Sequence, residues 1–181
     1  MNNPRYHSAS IFLHWLMLVV LVGVYAAIEL HELFPDGSPT YELFENWHFM
    51  LGLTVFALVL ARLVLRLRYA APPITPAPPK WQQSLSRLGH GLLYALMIGM
   101  PIGGWLMLSA KGETIPFYGL ALPPLVAPNE ELAELIEEIH ETVGTAGYYL
   151  IALHTLAGLA HHYLLRDNTL QRMLPWSTKR S

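Results

Sequence analysis

Four long apolar runs dominate the chain, at residues 11–28, 49–67, 91–108 and 143–165. Each is close to the roughly 20 residues that a helix needs to cross a hydrocarbon layer about 30 Å thick. None shows the polar face of a soluble helix. Backbone polar groups inside lipid must be satisfied within their own segment, which favours helices. The pattern therefore predicts an all-α integral membrane protein, a bundle of four transmembrane helices in one domain, residues 1–181.

Polar residues set the expected limits of the spans and loops. The predicted spans are about 10–30, 47–68, 87–109 and 138–166, with a Pro-rich cytoplasmic loop at about 69–86 and an acidic periplasmic loop at about 110–137. Five prolines between Pro72 and Pro79 predict an extended strap in the first of these loops. Asn129, followed by Glu130 and Glu131, predicts the N-cap of a fourth helix that begins outside the membrane.

Charged residues are divided between the two sides of the predicted membrane. Ten of the eleven Lys and Arg residues lie on the side of the termini, and twelve of the thirteen acids lie on the other side. The exceptions are Lys111 and Asp167. The positive-inside rule then places both termini in the cytoplasm. A net charge of −2 gives no indication of nucleic-acid binding, and the absence of cysteine excludes disulfides and thiolate-bound iron–sulfur clusters.

Five of the nine histidines sort into two depths of the predicted bundle. His140 and His154 are 14 residues apart on the fourth helix, nearly four turns, so they point the same way about 21 Å apart. His48 begins the second span at the outer level of His140. His14 and His90 begin the first and third spans at the inner level of His154. Ionisable residues inside a membrane are costly and commonly mark function.

Histidines that face each other across a helix bundle can supply both axial ligands of a haem iron. The depths predict an outer pair, His48–His140, and an inner pair, for which His14–His154 is preferred and His14–His90 is the alternative. Hydrogen bonding of each histidine to a neighbouring helix explains one residue more easily than five. A zinc or copper site needs three or four ligands at one point, and the spans lack the carboxylates or cysteines to complete it.

Other polar residues near the membrane surfaces have simpler interpretations. Arg62 and Arg66, one turn apart at the cytoplasmic end of the second span, either anchor the helix or bind the propionates of an inner haem. His7 and His31 are expected to be solvated surface residues.

Five sequence motifs resemble the bacterial cytochrome b561 family, most closely its superoxide oxidase branch. They are "HW", "NWH", "RLGH", "HETVGTAGYYLIALH" and "LAHHYLLRDNTLQRMLP". The resemblance implies a multi-pass protein of the bacterial inner membrane with two b-type haems, ligated by His48 and His140 on the outer side and by His14 and His154 on the inner side. It also implies an enzyme that takes single electrons from superoxide at the periplasmic side and reduces ubiquinone.

Two residues are candidates for the substrates of such an enzyme. His161, two turns beyond His154, is placed to hydrogen-bond ubiquinone and relay a proton, whereas His162 points about 100° away. Lys111 is the one fixed positive charge on the outer side and is a candidate to guide superoxide. The alternative function is a b-type cytochrome subunit that links the quinone pool to a dehydrogenase, a hydrogenase or a periplasmic carrier. The short loops favour a protein without an obligate protein partner.

Overall fold

The computed structural model describes residues 5–175 as four long helices with a small hairpin on the outer side. The elements are α1 (Ser8–His31), α2 (Pro39–Arg68), α3 (Lys80–Lys111), β1 (Ile115–Phe117), β2 (Leu120–Leu122), α4 (Glu130–Tyr163) and a 3₁₀ turn (Gln171–Met173). All four helices are long and apolar enough to cross a membrane. The chain is therefore a four-helix membrane protein, as predicted. The basic residues Lys179 and Arg180, expected on the cytoplasmic side, lie outside the described residues.

The helices extend beyond most of the predicted spans because local capping starts them early. The Ser38 hydroxyl accepts a hydrogen bond from the Tyr41 amide at 3.3 Å, so α2 begins at Pro39. The Asn129 side chain accepts from the Leu132 amide at 3.0 Å, which confirms the predicted N-cap of α4. At its other end α4 stops at Tyr163, three residues before the expected limit.

The helices pack as two pairs. α1 lies along α2, α3 lies along α4, and α2 packs against α3, whereas α1 and α4 come together far less closely. Buried Met17, Val55, Val59 and Met97 form the main apolar core between α1, α2 and α3. α4 meets α1 and α2 through histidine rings, in the pairs His14–His154 and His48–His140.

A β-hairpin covers the outer end of the bundle. β1 and β2 pair antiparallel, with Phe117 opposite Leu120. The two residues between them, Tyr118 and Gly119, both have positive φ, at 48° and 85°, as a two-residue hairpin turn of type I′ requires. The Tyr118 hydroxyl lies 2.9 Å from the Thr54 hydroxyl of α2. The sequence predicts only an acidic loop here, because strands of three residues are too short to show an alternating pattern.

The C-terminal segment, residues 164–175, holds the cytoplasmic end together. The backbone of Asn168 donates to the Thr75 carbonyl at 3.1 Å, and its side chain accepts from the Thr75 amide at 2.8 Å. Arg172 donates to the Pro72 carbonyl. Trp15 of α1 donates to a backbone carbonyl of the same segment at 2.7 Å. The proline strap, which has neither helix nor strand over residues 70–79, is thereby fixed to α4 and α1.

Candidate functional site

The outer pair of histidines joins α2 to α4. The ring centroids of His48 and His140 lie 6.3 Å apart, with an angle of 74° between the ring planes. His48 Nδ1 lies 3.1 Å from the Val24 carbonyl of α1, so Nδ1 donates and Nε2 is left as the free ring nitrogen. A Cβ on Gly103 or Gly104 of α3 would come within 3.5 or 3.4 Å of the His140 ring. The two glycines therefore let α3 approach this ring closely.

The inner pair joins α1 to α4 with nearly the same geometry. The ring centroids of His14 and His154 lie 6.3 Å apart, with an interplanar angle of 71°. His90 also reaches this level, but its ring centroid is only 5.4 Å from that of His154. His90 Nδ1 lies 2.6 Å from the Ser86 carbonyl of its own helix. The structure thus brings all five histidines together at the two levels that the spacing predicted.

The ring separations can be compared with the geometry of a six-coordinate iron. With a metal–nitrogen bond of about 2.0 Å and a ring radius of about 1.1 Å, two imidazoles on opposite sides of one iron have centroids about 6.2 Å apart. Both His48–His140 and His14–His154, at 6.3 Å, fit this value. The 5.4 Å between His90 and His154 is too short for such a pair. The residues present therefore fit a haem at each level.

A second observation on the outer pair concerns an unsatisfied ring nitrogen. His140 Nδ1 is buried and, among residues 5–175, has no hydrogen-bond partner. Buried polar atoms in proteins are nearly always paired, so a lone one calls for an explanation. This nitrogen faces α3, because it lies 3.5 Å from the position of a Cβ on Gly103.

Arg62 and Arg66 line a cavity of about 190 Å³ at the cytoplasmic end. The lining residues are Tyr6, Ser10, Arg62, Leu65, Arg66, Tyr69, Ala71, Tyr94 and Met173. Arg62 Nε and Nη1 are buried without a partner within the described part of the chain. Two guanidinium groups and no carboxylate in this lining suit an anion such as a haem propionate.

Lys111 lies at the outer end of α3, where acids outnumber it. Its ammonium group donates to Glu137 Oε1 of α4 at 2.8 Å. An outer cavity of about 570 Å³ is lined by Ala110, Lys111, Glu113, Pro128, Asn129, Glu130, Ala133, Glu134 and Glu137. With one lysine and four glutamates, this lining attracts cations more than anions.

At the cytoplasmic end of α4, His161 is paired with an acid. His161 Nδ1 lies 2.5 Å from Asp167 Oδ2. Burial raises the pKa of Asp167, but hydrogen bonds from His161 and Thr169 outweigh burial and hold that pKa below its usual range. His162 lies apart from this pair, and its buried Nδ1 has no partner among residues 5–175.

Several contacts of the site were not anticipated from the sequence. The prediction that His31 is a solvated surface residue is wrong: His31 is 7% exposed, and its ring centroid lies 4.6 Å from that of Tyr41, with an angle of 32° between the ring planes. Gly147, which lies between His140 and His154, is covered by the Tyr25 phenol. Glycines within an apolar helix were the available signal for such close contacts, but they do not indicate which side chain approaches.

The amino-acid sequence matches a known protein family over nearly its whole length. Residues 5–176 match the family model described as prokaryotic cytochrome b561. The chain belongs to the prokaryotic cytochrome b561 family. It is 42% identical to cytochrome b561 homolog 1 of Escherichia coli (strain K12) over 171 aligned residues. The alignment covers 94% of this chain and 97% of that protein.

Two further relatives cover nearly the whole chain. One, named probable superoxide oxidase CybB, from Yersinia pestis, is 34% identical over 177 residues, covering 96% of this chain and 97% of that protein. Cytochrome b561 homolog 2 of Escherichia coli (strain K12) is 28% identical over 182 residues, with 96% and 93% covered. This prokaryotic cytochrome b561 is accordingly a multi-pass inner-membrane protein of a family that binds b-type haem, as the sequence motifs predicted.

Proposed function

We propose that this cytochrome b561 is a superoxide:ubiquinone oxidoreductase. It takes single electrons from superoxide on the periplasmic side and delivers them to ubiquinone, with two b-type haems between the substrates. The observation that carries the proposal is the presence of two histidine pairs, each with ring centroids 6.3 Å apart, whose α4 members, His140 and His154, lie 14 residues apart. The 34% identity to a protein named probable superoxide oxidase supports the choice of electron donor.

The ligand assignments are part of the proposal. His48 and His140 hold the outer haem iron, and His14 and His154 hold the inner one. Haem held by these histidines would supply one-electron redox chemistry at each level. The Val24 carbonyl orients His48, and Arg62 and Arg66, which line the cytoplasmic cavity, would bind the inner propionates.

Each substrate has one candidate contact residue. Lys111 guides superoxide to the outer level, although Glu137 neutralises part of its field. His161 hydrogen-bonds ubiquinone on the cytoplasmic side, because it continues the line of His154 by two turns and has a side chain that is 21% exposed. Oxidation of superoxide to oxygen needs no proton, whereas the quinone needs two electrons and two protons.

The decisive experiment mixes the oxidised holoprotein anaerobically with superoxide and a soluble ubiquinone analogue. The expected result is a reduced b-type absorption spectrum, followed by formation of quinol, and loss of both signals when superoxide dismutase is present. A spectrum that superoxide leaves oxidised would refute the proposal.

The role of Lys111 has its own test. Lys111→Glu is expected to slow the reduction by superoxide and Glu137→Gln to accelerate it, with both differences shrinking as salt is added. Equal rates for the two variants and the unaltered protein would exclude guidance by Lys111.

A second candidate function is electron transfer with a cationic protein partner. The outer side carries twelve acids against one lysine, and that lysine is already paired. Such a surface favours a basic redox carrier over a free anion. Faster reduction by a basic carrier than by superoxide, with a rate that falls as salt is added, would favour this function.

A further inference from the structure

Asp167 stands out by its position. It is the one acid of thirteen on the cytoplasmic side, where the other charges are basic. It is also only 5% exposed. A carboxylate is expensive to bury unless it is paired and hydrogen-bonded, so the contacts of Asp167 indicate its purpose.

Two hydrogen bonds of the turn after α4 fix the position of the Asp167 carboxylate. Asp167 Oδ1 accepts from the Thr169 amide at 2.8 Å. The Asp167 amide donates to the His161 carbonyl at 3.1 Å, which fixes the turn after α4. Oδ2 is therefore directed at His161 Nδ1, 2.5 Å away.

This contact decides which nitrogen of His161 carries a proton. An ionised carboxylate only accepts hydrogen bonds, so Nδ1 must donate. Nε2 is then the nitrogen that gains and loses a proton, and the side chain is exposed enough for Nε2 to meet a ligand, at 21% against 3% for the Asp167 side chain. Arg172, itself 6% exposed, interacts electrostatically with Asp167 and favours its ionised state.

We propose that Asp167 is a positioning residue for quinone reduction: it holds His161 with Nδ1 protonated, so that Nε2 delivers protons to the quinone oxygen. The proposal rests on the proposed function. Two superoxide ions become two molecules of oxygen and supply two electrons. The quinone takes these electrons and two protons to become quinol. Each proton passed by Nε2 leaves a neutral ring, which takes a proton from cytoplasmic water.

The matched variant is Asp167→Asn, which has almost the same shape. Its side-chain oxygen can still accept from Thr169, while its amide donates to Nδ1 and forces the proton of a neutral His161 ring onto Nε2. The assay uses holoprotein first reduced with dithionite and then mixed with a soluble ubiquinone analogue, so that it does not depend on superoxide. The expected result is a kcat for quinol formation that is lower by about tenfold or more, as for other histidines that lose an orienting carboxylate. The KM for quinone and the haem spectrum stay unchanged, and Asp167→Glu recovers part of the rate.

A double-mutant cycle with His161→Gln separates positioning from packing. If Asp167 acts through His161, adding Asp167→Asn to His161→Gln causes no further loss. Asn168→Ala, which removes the side-chain bond to the strap, is the control for loosening of the segment and is expected to retain the kcat. Independent losses in the double variant, an unchanged kcat in Asp167→Asn, or an equal loss in Asn168→Ala would each overturn the proposal. Failure of superoxide to reduce the holoprotein, with the dithionite assay as expected, would refute the proposed electron donor and leave the role of Asp167 standing.

Discussion

Gly147 offers a direct test of how closely α4 meets α1. A Cβ at this position would lie 2.3 Å from the Tyr25 hydroxyl and 3.2 Å from a methyl group of Leu96. The phenol cannot swing away freely, because it donates to the Gly144 carbonyl at 3.0 Å and its ring lies 4.2 Å from that of Tyr148. Gly147→Ala must therefore displace Tyr25 by about 1 Å, since ordinary contacts begin near 3.5 Å.

The expected cost of Gly147→Ala follows from three contributions. Overpacking costs about 1–3 kcal/mol, and loss of the tyrosine hydrogen bond costs about 1 kcal/mol. Alanine recovers about 1 kcal/mol of helix propensity. The net effect is a destabilisation of about 1–3 kcal/mol, which corresponds to a fall of about 2–12 °C in Tm for a domain of this size.

Thermal unfolding of the detergent-solubilised protein measures this effect. The control is Gly158→Ala on the same helix, because a Cβ there meets nothing within 4 Å, and its Tm is expected to stay or rise. Tyr25→Phe removes the clashing hydroxyl and should restore most of the loss when combined with Gly147→Ala. A Gly147→Ala variant as stable as Gly158→Ala, or one that Tyr25→Phe does not rescue, would refute the packing that the structure assigns.

Three further predictions concern the ligands, a helix cap and the buried acid. With the proposed ligation by His14 and His154, His154→Ala should remove about half of the bound haem, measured against protein in a pyridine haemochrome assay, whereas His90→Ala should leave the haem content unchanged, since the 5.4 Å between the His90 and His154 rings is too short for a ligand pair. Asn129→Ala should lower the stability by about 1 kcal/mol through loss of the α4 cap, seen as a lower Tm. Because the pKa of Asp167 is held below its usual range, its stabilising contribution is complete above about pH 4 and is lost as the pH falls through the lowered pKa. Acid unfolding of Asp167→Asn should lack this component.

The sequence was most informative where residue spacing alone sets geometry. The spacing of fourteen residues from His140 to His154 places both on one face of a straight helix. The alternating direction of successive spans then decides which histidines share a level. The separations of the His154 ring from the rings of His14 and His90 differ by 0.9 Å. Such a difference comes from helix packing and not from the position of a residue along its helix.

Contacts between distant segments were the part that the sequence could not predict. The sequence shows Asp167 as the one acid on the basic side of the membrane. Its hydrogen bond to His161, however, depends on the turn that the backbone makes after α4 ends at Tyr163. The hairpin at residues 115–122 was missed for a related reason. Its stability comes from contacts with α2, and its own strands are too short to carry a periodic signal.

The fastening of the cytoplasmic end by the C-terminal segment has a consequence for biosynthesis. Residues 164–175 are the last described part of the chain to leave the ribosome, after all four helices have been made. Until then the strap lacks its bonds to Asn168 and Arg172, and Trp15 lacks its carbonyl partner. A ribosome that stops after Tyr163 would release a product with four complete membrane helices and an unfastened cytoplasmic end. Fastening of the cytoplasmic end therefore has to wait until residues 164–175 have emerged, whereas the four membrane helices do not.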